Sequence, residues 1–302
     1  MAGEAGGGGL NEGAHLAYSI RMKLRAIAHF TALTLLTTTA LAACVKVPVT
    51  GRRQFNLIPD GLMREIGAST YRSMLAEESV AKGSENAKVI DRVGNSIAQS
   101  ANQKDYSWKF KLIQDSDTIN AWCLPGGKIA IYTGILPVVE NEAGLAFVTG
   151  HEVGHATAHH GAERMSQQLA ILGGLAGLYL YLDNKSEMND KQIATVIAAA
   201  GIGAQGGVIL PFSRLHEKEA DVIGMMYMAK AGYPPSEAPK VWTRMENATG
   251  GSALPAILST HPNNDTRKEN LRDWLPKAKK RYSRSNKKSG TQQTLWTNSS
   301  FK

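Results

Sequence analysis

The distribution of apolar positions predicts helices near residues 60–82 and 85–103, strands near 107–114 and 119–133, a helix near 140–160, and then mostly helix to about residue 275. Ile129, Ile131 and Thr133 alternate with Lys128, Ala130 and Tyr132, the period of two that suits a half-buried strand, and Pro125-Gly126-Gly127 ahead of them signals a turn. The stretch Glu142 to Gly150 holds Ala143, Leu145, Ala146, Phe147 and Val148, enough to bury one side of a helix. Gly150 and a second glycine, Gly154, are poor helix formers, so close backbone approach is expected there. Together these elements predict an α+β, mainly helical fold with a small β-sheet. Two further apolar runs, Leu169 to Leu182 and Ile193 to Leu210, are interrupted by glycines; the first is only 14 residues long. That length fits a buried or lid helix better than a membrane span, with contact between this flap and lipid or substrate as a second reading.

The helix near 140–160 carries His151-Glu152-Val153-Gly154-His155. At helical spacing two histidines at i and i+4 leave one face about a turn apart and can bind one ion. Glu152 then stands beside the open metal position, placed to take a proton from a zinc-bound water and pass it to a leaving amine. A hydrolytic zinc usually takes three protein ligands, so one more His, Glu or Asp is expected on another element. Position 161, where one known arrangement would need histidine, is Gly161. Downstream, Glu217 and Asp221 stand at i and i+4 of a predicted helix: Glu217 as third ligand, Asp221 as the acceptor that fixes the tautomer of a metal-bound histidine. Glu219 points to another face and reads as a solvated charge.

His151-Glu152-x-x-His155, with Ser213-Arg214-x-x-Glu217-x-x-Ala220-Asp221 and then Thr260-His261-Pro262 and Arg267, resembles the HtpX and Oma-type zinc endopeptidases of peptidase family M48. Asn120 to Gly134 is similar to the family's strand-turn-strand, and Thr50-Gly51-Arg52-Arg53-Gln54 to the opening of its lipoprotein members. The resemblance covers roughly residues 48 to 275. It implies a gluzincin-type zinc metallopeptidase domain with the sheet beside the active-site helix, and one Zn2+ per chain on His151, His155 and Glu217. Glu152 would be the general base, and Asp221 would act from behind the ligands. His261 would serve as a regulatory fourth ligand or as a stabiliser of the tetrahedral oxyanion, and Arg267 would orient that loop or bind a substrate carbonyl. It also implies that Lys128, Ile129, Ala130 and Ile131 form an edge strand to which an extended substrate adds by main-chain hydrogen bonds. The activity implied is cleavage of unfolded, misfolded or unassembled envelope proteins, with a largely non-proteolytic assembly factor as the alternative.

Met22-Lys23-Leu24-Arg25, the apolar run Ala26 to Ala40 and Leu41-Ala42-Ala43-Cys44 read as a signal peptide over residues 1–43 ending in a lipobox, with Met22 as the start. Lipidation of Cys44 would tie the chain to a membrane, and Val45, which is not aspartate, favours the periplasmic face of the outer membrane. Residues 44–276 are then the peptidase domain. Cys123 is the one other cysteine, so no intramolecular disulfide is expected; it reads as buried packing. The formal net charge of +8 is matched by the eight basic residues of 277–302, which contain no acid and read as a solvated, disordered tail. Nucleic acid is excluded as a partner by export rather than by charge.

Overall fold

The computed structural model describes residues 44–248, 257, 261 and 265–286. The chain divides after Val45, and the first unit, Met1–Val45, falls almost wholly outside the described residues, together with the predicted signal peptide and lipobox. Thr260, Pro262 and the basic residues from Lys287 onward lie outside them too. The second unit is Lys46–Lys302.

After a short strand at Arg53–Phe55 come two helices, α1 (Asp60–Ala76) and α2 (Glu85–Ala101). Ser84 caps α2 by accepting a hydrogen bond from the Ala87 amide at 3.2 Å, and Asn102 ends it in the left-handed conformation at φ 55°. Ile90, Val93 and Ile97 bury one stripe of α2 against the sheet. The sheet has three strands, β1 (Lys109–Ile113), β2 (Ala121–Leu124) and β3 (Lys128–Tyr132), in the order β1-β3-β2. β3 lies in the middle, parallel to β1 with Phe110 opposite Ile129 and antiparallel to β2 with Cys123 opposite Ile129. Both of its edges are therefore used. Lys128, Ile129, Ala130 and Ile131, expected as an edge strand, cannot accept a further strand; the sheet's free edge on the cleft side is β2.

Next comes α3 (Glu142–Thr157), capped by Asn141, whose Oδ1 accepts from the Gly144 amide at 2.9 Å. α3 is buried almost all round, because the sheet, α2 and the later helix α6 (Leu210–Ala231) all pack on it. Two glycines make the α3–α6 crossing possible. A Cβ on Gly150 would stand 2.8 Å from the Gly224 carbonyl oxygen, and one on Gly224 would stand 2.6 Å from the His151 amide nitrogen. The backbones touch where the histidine pair begins, as the glycines in the helical pattern suggest.

Between these two helices the chain leaves the body as a hairpin of α4 (His160–Lys185) and α5 (Asp190–Ala204), α5 running through one π-helical turn, Gln205–Ile209, into α6. From Gln167 to Arg214 only Ile193 is buried. The apolar runs expected to form a buried helix are thus exposed, because no other described element covers them. Two last helices, α7 (Ala238–Ala248) and α8 (Asp265–Ser283), close the body. α8 corrects the expected tail boundary at 277: Ala278 is buried and Lys277 lies over the Trp274 ring at 4.1 Å, so helix persists through Ser283.

Candidate metal centre

The i, i+4 spacing on α3 brings the two histidines together, His151 Nε2 standing 3.0 Å from His155 Nε2. α6 supplies Glu217, with Oε2 3.3 Å from His151 Nε2 and Oε1 3.4 Å from His155 Nε2. His261, ahead of α8, completes a fourth corner: its Nδ1 is 3.2 Å from His151 Nε2 and 3.0 Å from Glu217 Oε2. One ligand atom from each of the four lies within 4.8 Å of every other. Zinc bonds of about 2.0–2.1 Å in a tetrahedron put neighbouring donors about 3.3–3.4 Å apart, close to the spacings seen.

The protonation pattern points the same way. His151 Nδ1 is 3.0 Å from Asp221 Oδ1, so that nitrogen carries the proton and donates it to the carboxylate. His155 Nδ1 is 2.9 Å from His160 Nδ1, and His160 Nε2 is 3.3 Å from Glu219 Oε2. Proton donation along that line runs from His155 to His160 to the Glu219 carboxylate. Both Nε2 lone pairs then converge on the same point beside Glu217, whose Oε1 has no hydrogen-bond partner among the described residues. Acceptors facing acceptors at 3 Å repel one another unless a cation lies between them. Burial lowers the basicity of both rings; it carries His155 down to about 3, whereas at His151 the Asp221 and Glu217 carboxylates outweigh it and hold the ring up at about 9. At His151, then, the carboxylates favour positive charge, and at His155 burial favours the neutral ring. The residues fit zinc.

Behind the ligands lies Arg267, 0% exposed. Its Nε donates to Asp221 Oδ2 at 2.7 Å and its Nη2 to Asp221 Oδ1 at 2.8 Å, while Nη1 stands 3.2 Å from Glu217 Oε2 and donates to the His261 carbonyl at 3.4 Å. The guanidinium also covers the Trp242 ring at 3.8 Å, and Trp242 Nε1 donates to Asp221 at 3.3 Å. Burial opposes ionisation of Asp221, but Arg267 and the His151 hydrogen bond outweigh it and hold the carboxyl below its usual range. Of the two roles expected for Arg267, the structure therefore supports orientation: it fixes one ligand, the base of another and the loop of a third. A substrate carbonyl would have no way to reach it.

Glu219 is a correction. It is 4% exposed, with Thr50 Oγ1 donating to Oε1 at 2.8 Å and Arg52 Nε to Oε2 at 2.9 Å. Arg52 also binds Glu163 with both terminal nitrogens, at 2.8 and 2.7 Å, and His216 Nε2 donates to Glu163 at 2.8 Å. The stacked rings of His160 and His216, 4.2 Å apart, fill the space between. Arg52, His160, Glu163 and His216 are not legible in the sequence because their partners are distant in the chain; the one signal available is the Thr50-Gly51-Arg52 segment itself.

Glu152 is 1% exposed, its Oε1 without a hydrogen-bond partner among the described residues and 3.6 Å from His261 Nε2. It faces a cavity of about 220 Å³ whose apolar wall includes Met63, Tyr106, Trp122, Leu124 and Pro125. Cys123, expected as buried packing, is half-buried and lines this cleft, where burial holds its thiol well above the usual range.

A sequence model of Peptidase family M48 matches residues 84–275. The chain is 32% identical over 246 residues to the mitochondrial metalloendopeptidase OMA1 of Schizosaccharomyces pombe, covering 77% of this chain and 66% of that one. It is 34% identical over 259 residues to OMA1 of Saccharomyces cerevisiae, covering 80% and 71%. With the beta-barrel assembly-enhancing protease of Escherichia coli it shares 29% identity over 192 residues, 61% of this chain and 38% of that protein.

Proposed function

The chain belongs to peptidase family M48, whose members use zinc, and on that premise we propose that it is an endopeptidase cleaving unfolded, misfolded or unassembled envelope proteins. The observation that carries the reading is Glu152: a purely structural zinc site has no need of a buried carboxylate beside it, facing a cleft, with an oxygen that accepts no hydrogen bond among the described residues.

His151, His155 and Glu217 would hold the ion, and zinc bound there supplies the Lewis acidity that makes water a nucleophile near neutral pH. Glu152 accepts the proton that water loses as its oxygen bonds to the scissile carbonyl carbon, then delivers that proton to the amide nitrogen as the C–N bond breaks. Asp221 and Arg267 keep the His151 ring in the tautomer that leaves Nε2 free. The outer edge of β2, next to the cleft, is the place for an extended substrate to pair, which would favour unfolded segments over particular sequences.

In the described conformation His261 stands at ligand distance, which supports a closed site that opens when His261 swings away. The same feature is what favours the alternative, a mainly non-proteolytic assembly factor. Membrane association is expected by analogy with the relatives; the exported lipoprotein with an anchor on Cys44 rests on residues 22–44 alone. It is tested by the mass of the chain recovered from membranes, which a diacylglyceryl group would raise and Cys44→Ser would leave unmodified.

The deciding experiment is degradation of an unfolded model protein by the parent, Glu152→Gln and His261→Ala chains, with zinc quantified in each. The parent or His261→Ala is expected to cleave, and Glu152→Gln to lose roughly 10²–10⁴-fold in rate at unchanged zinc. Zinc without cleavage in any form would overturn proteolysis in favour of the assembly factor.

A further inference from the structure

Each histidine of the metal pair is backed by hydrogen bonds that end on a carboxylate of α6, and each of those carboxylates is gripped by one arginine from a distant part of the sequence. For His151 the pair is Asp221 and Arg267. For His155 the route is one ring longer: Nδ1 donates to His160 Nδ1 at 2.9 Å, His160 Nε2 donates to Glu219 Oε2 at 3.3 Å, and Arg52 Nε donates to that same oxygen at 2.9 Å. Thr50 Oγ1 holds the other oxygen of Glu219 at 2.8 Å. His160 is buried, and among the described residues it is the one hydrogen-bond partner of His155 Nδ1.

We propose that Thr50 and Arg52 are positioning residues of the metal centre: acting through Glu219 and His160, they hold the His155 ring in the tautomer and plane that aim its Nε2 at the ion. The inference rests on the metal centre and holds whether or not the site cleaves peptides. A neutral imidazole that donates from Nε2 to a carboxylate keeps Nδ1 as an acceptor, which obliges His155 to carry its own proton on Nδ1 and leaves its Nε2 free. Without a fixed carboxylate His160 can turn over, and His155 can then place its proton on the nitrogen that faces Glu217. One guanidinium sets both the partner and the plane of His160. Arg52 Nε fixes Glu219, while its terminal nitrogens fix Glu163 at 2.8 and 2.7 Å; Glu163 accepts from His216, whose ring lies flat on His160, 4.2 Å away with 13° between the planes. An ion pair that only joined the N-terminal segment to the body would need one acid and no histidine. The turn that delivers these side chains is also strained. Val47 is buried, its amide donates to the Arg52 carbonyl at 2.8 Å, and between them Val49 stands at φ 67°, where a β-branched residue goes only under constraint from its surroundings. The contacts to Glu219 and Glu163 supply that constraint.

The test measures zinc affinity by chelator competition on the full chain and on Arg52→Lys, Thr50→Val and His160→Phe, each compared with the parent by circular dichroism without metal. Arg52→Lys keeps the charge but cannot span two carboxylates, and should weaken zinc binding roughly tenfold. Thr50→Val should weaken it less, and the absorption spectrum of the cobalt-substituted chain should shift in both as His155 turns. In the His160→Phe background, itself expected to lose about 10–100-fold, neither substitution should cost anything further, because the route to His155 is already cut. Thr50→Val leaves every buried charge paired, so the comparison can be read from it even where Arg52→Lys does not fold. An unchanged zinc affinity and cobalt spectrum in Thr50→Val and in folded Arg52→Lys, or losses that add to that of His160→Phe, would overturn the proposal and leave Arg52 as a structural tie alone.

Discussion

Arg267 and Asp221 work as one unit at the level of single residues. Neither touches the expected ion, yet between them they address His151, Glu217 and the His261 backbone, so a change in either is felt at three ligands. Asp221→Asn keeps the shape of the side chain but removes the charge that holds His151 Nδ1–H in place. Zinc affinity in a chelator competition should fall about 10–100-fold, the usual effect of losing a partner that orients a ligand, with the fold retained by circular dichroism. Unchanged affinity would mean that the His151 tautomer is set by something else. His151 with His155 and Glu217 with Asp221 are legible from local spacing because each pair lies four residues apart on one helix face, and Glu152 is legible from its place beside the first histidine. Glu219 is misread for the same reason: spacing says which way a side chain leaves its helix, and only the residue facing it, Arg52, decides whether it meets water.

Two helices at contact distance do what neither does alone. α3 and α6 carry all three expected protein ligands, and the spacing between His155 and Glu217 is set by glycine against glycine at 150 and 224. Gly224→Ala forces a Cβ to within 2.6 Å of a backbone nitrogen, which no rotamer can relieve. The helices must part, at about 1–3 kcal/mol, and the thermal midpoint and zinc affinity should drop together. Loss of stability with zinc affinity intact would show that the crossing does not set the metal distances. At this same scale β3 loses the edge role expected of it, and β2 takes the edge. A period of two identifies a strand but not its neighbours, and the parallel pairing of β1 with β3, made across the sequence, moves β3 from the edge to the middle.

Across the whole molecule the segment just after Val47 is tied to the start of α4 and to the metal-bearing α6 by ion pairs that span more than a hundred residues, Arg52 to Glu163 and to Glu219. Burial pushes the Glu163 carboxyl upward, but Arg52 and His216 outweigh it and hold it at about 2 against an ordinary 4.5. A carboxylate depressed by folding stabilises the protein above its unfolded pKa, and that contribution is lost as pH falls from about 4.5 toward about 2. Denaturant midpoints of the metal-free protein should therefore decline across that window, and Glu163→Gln should be less stable near neutrality with a flatter decline. Parallel declines in both chains would place the acid sensitivity elsewhere.

Periodicity and spacing determined most of the helices, the strands and the metal pair, because these depend on side chains a few residues apart. The same information located the long apolar runs without saying what they face, since apolar sequence is equally consistent with a core, a lid or lipid. The fourth corner at His261, the buried Arg267, the Arg52 network and the exposed hairpin were decided only by tertiary structure. Each depends on which distant surfaces meet, and burial of a charge is tolerated only where an opposite charge from elsewhere in the chain arrives to meet it.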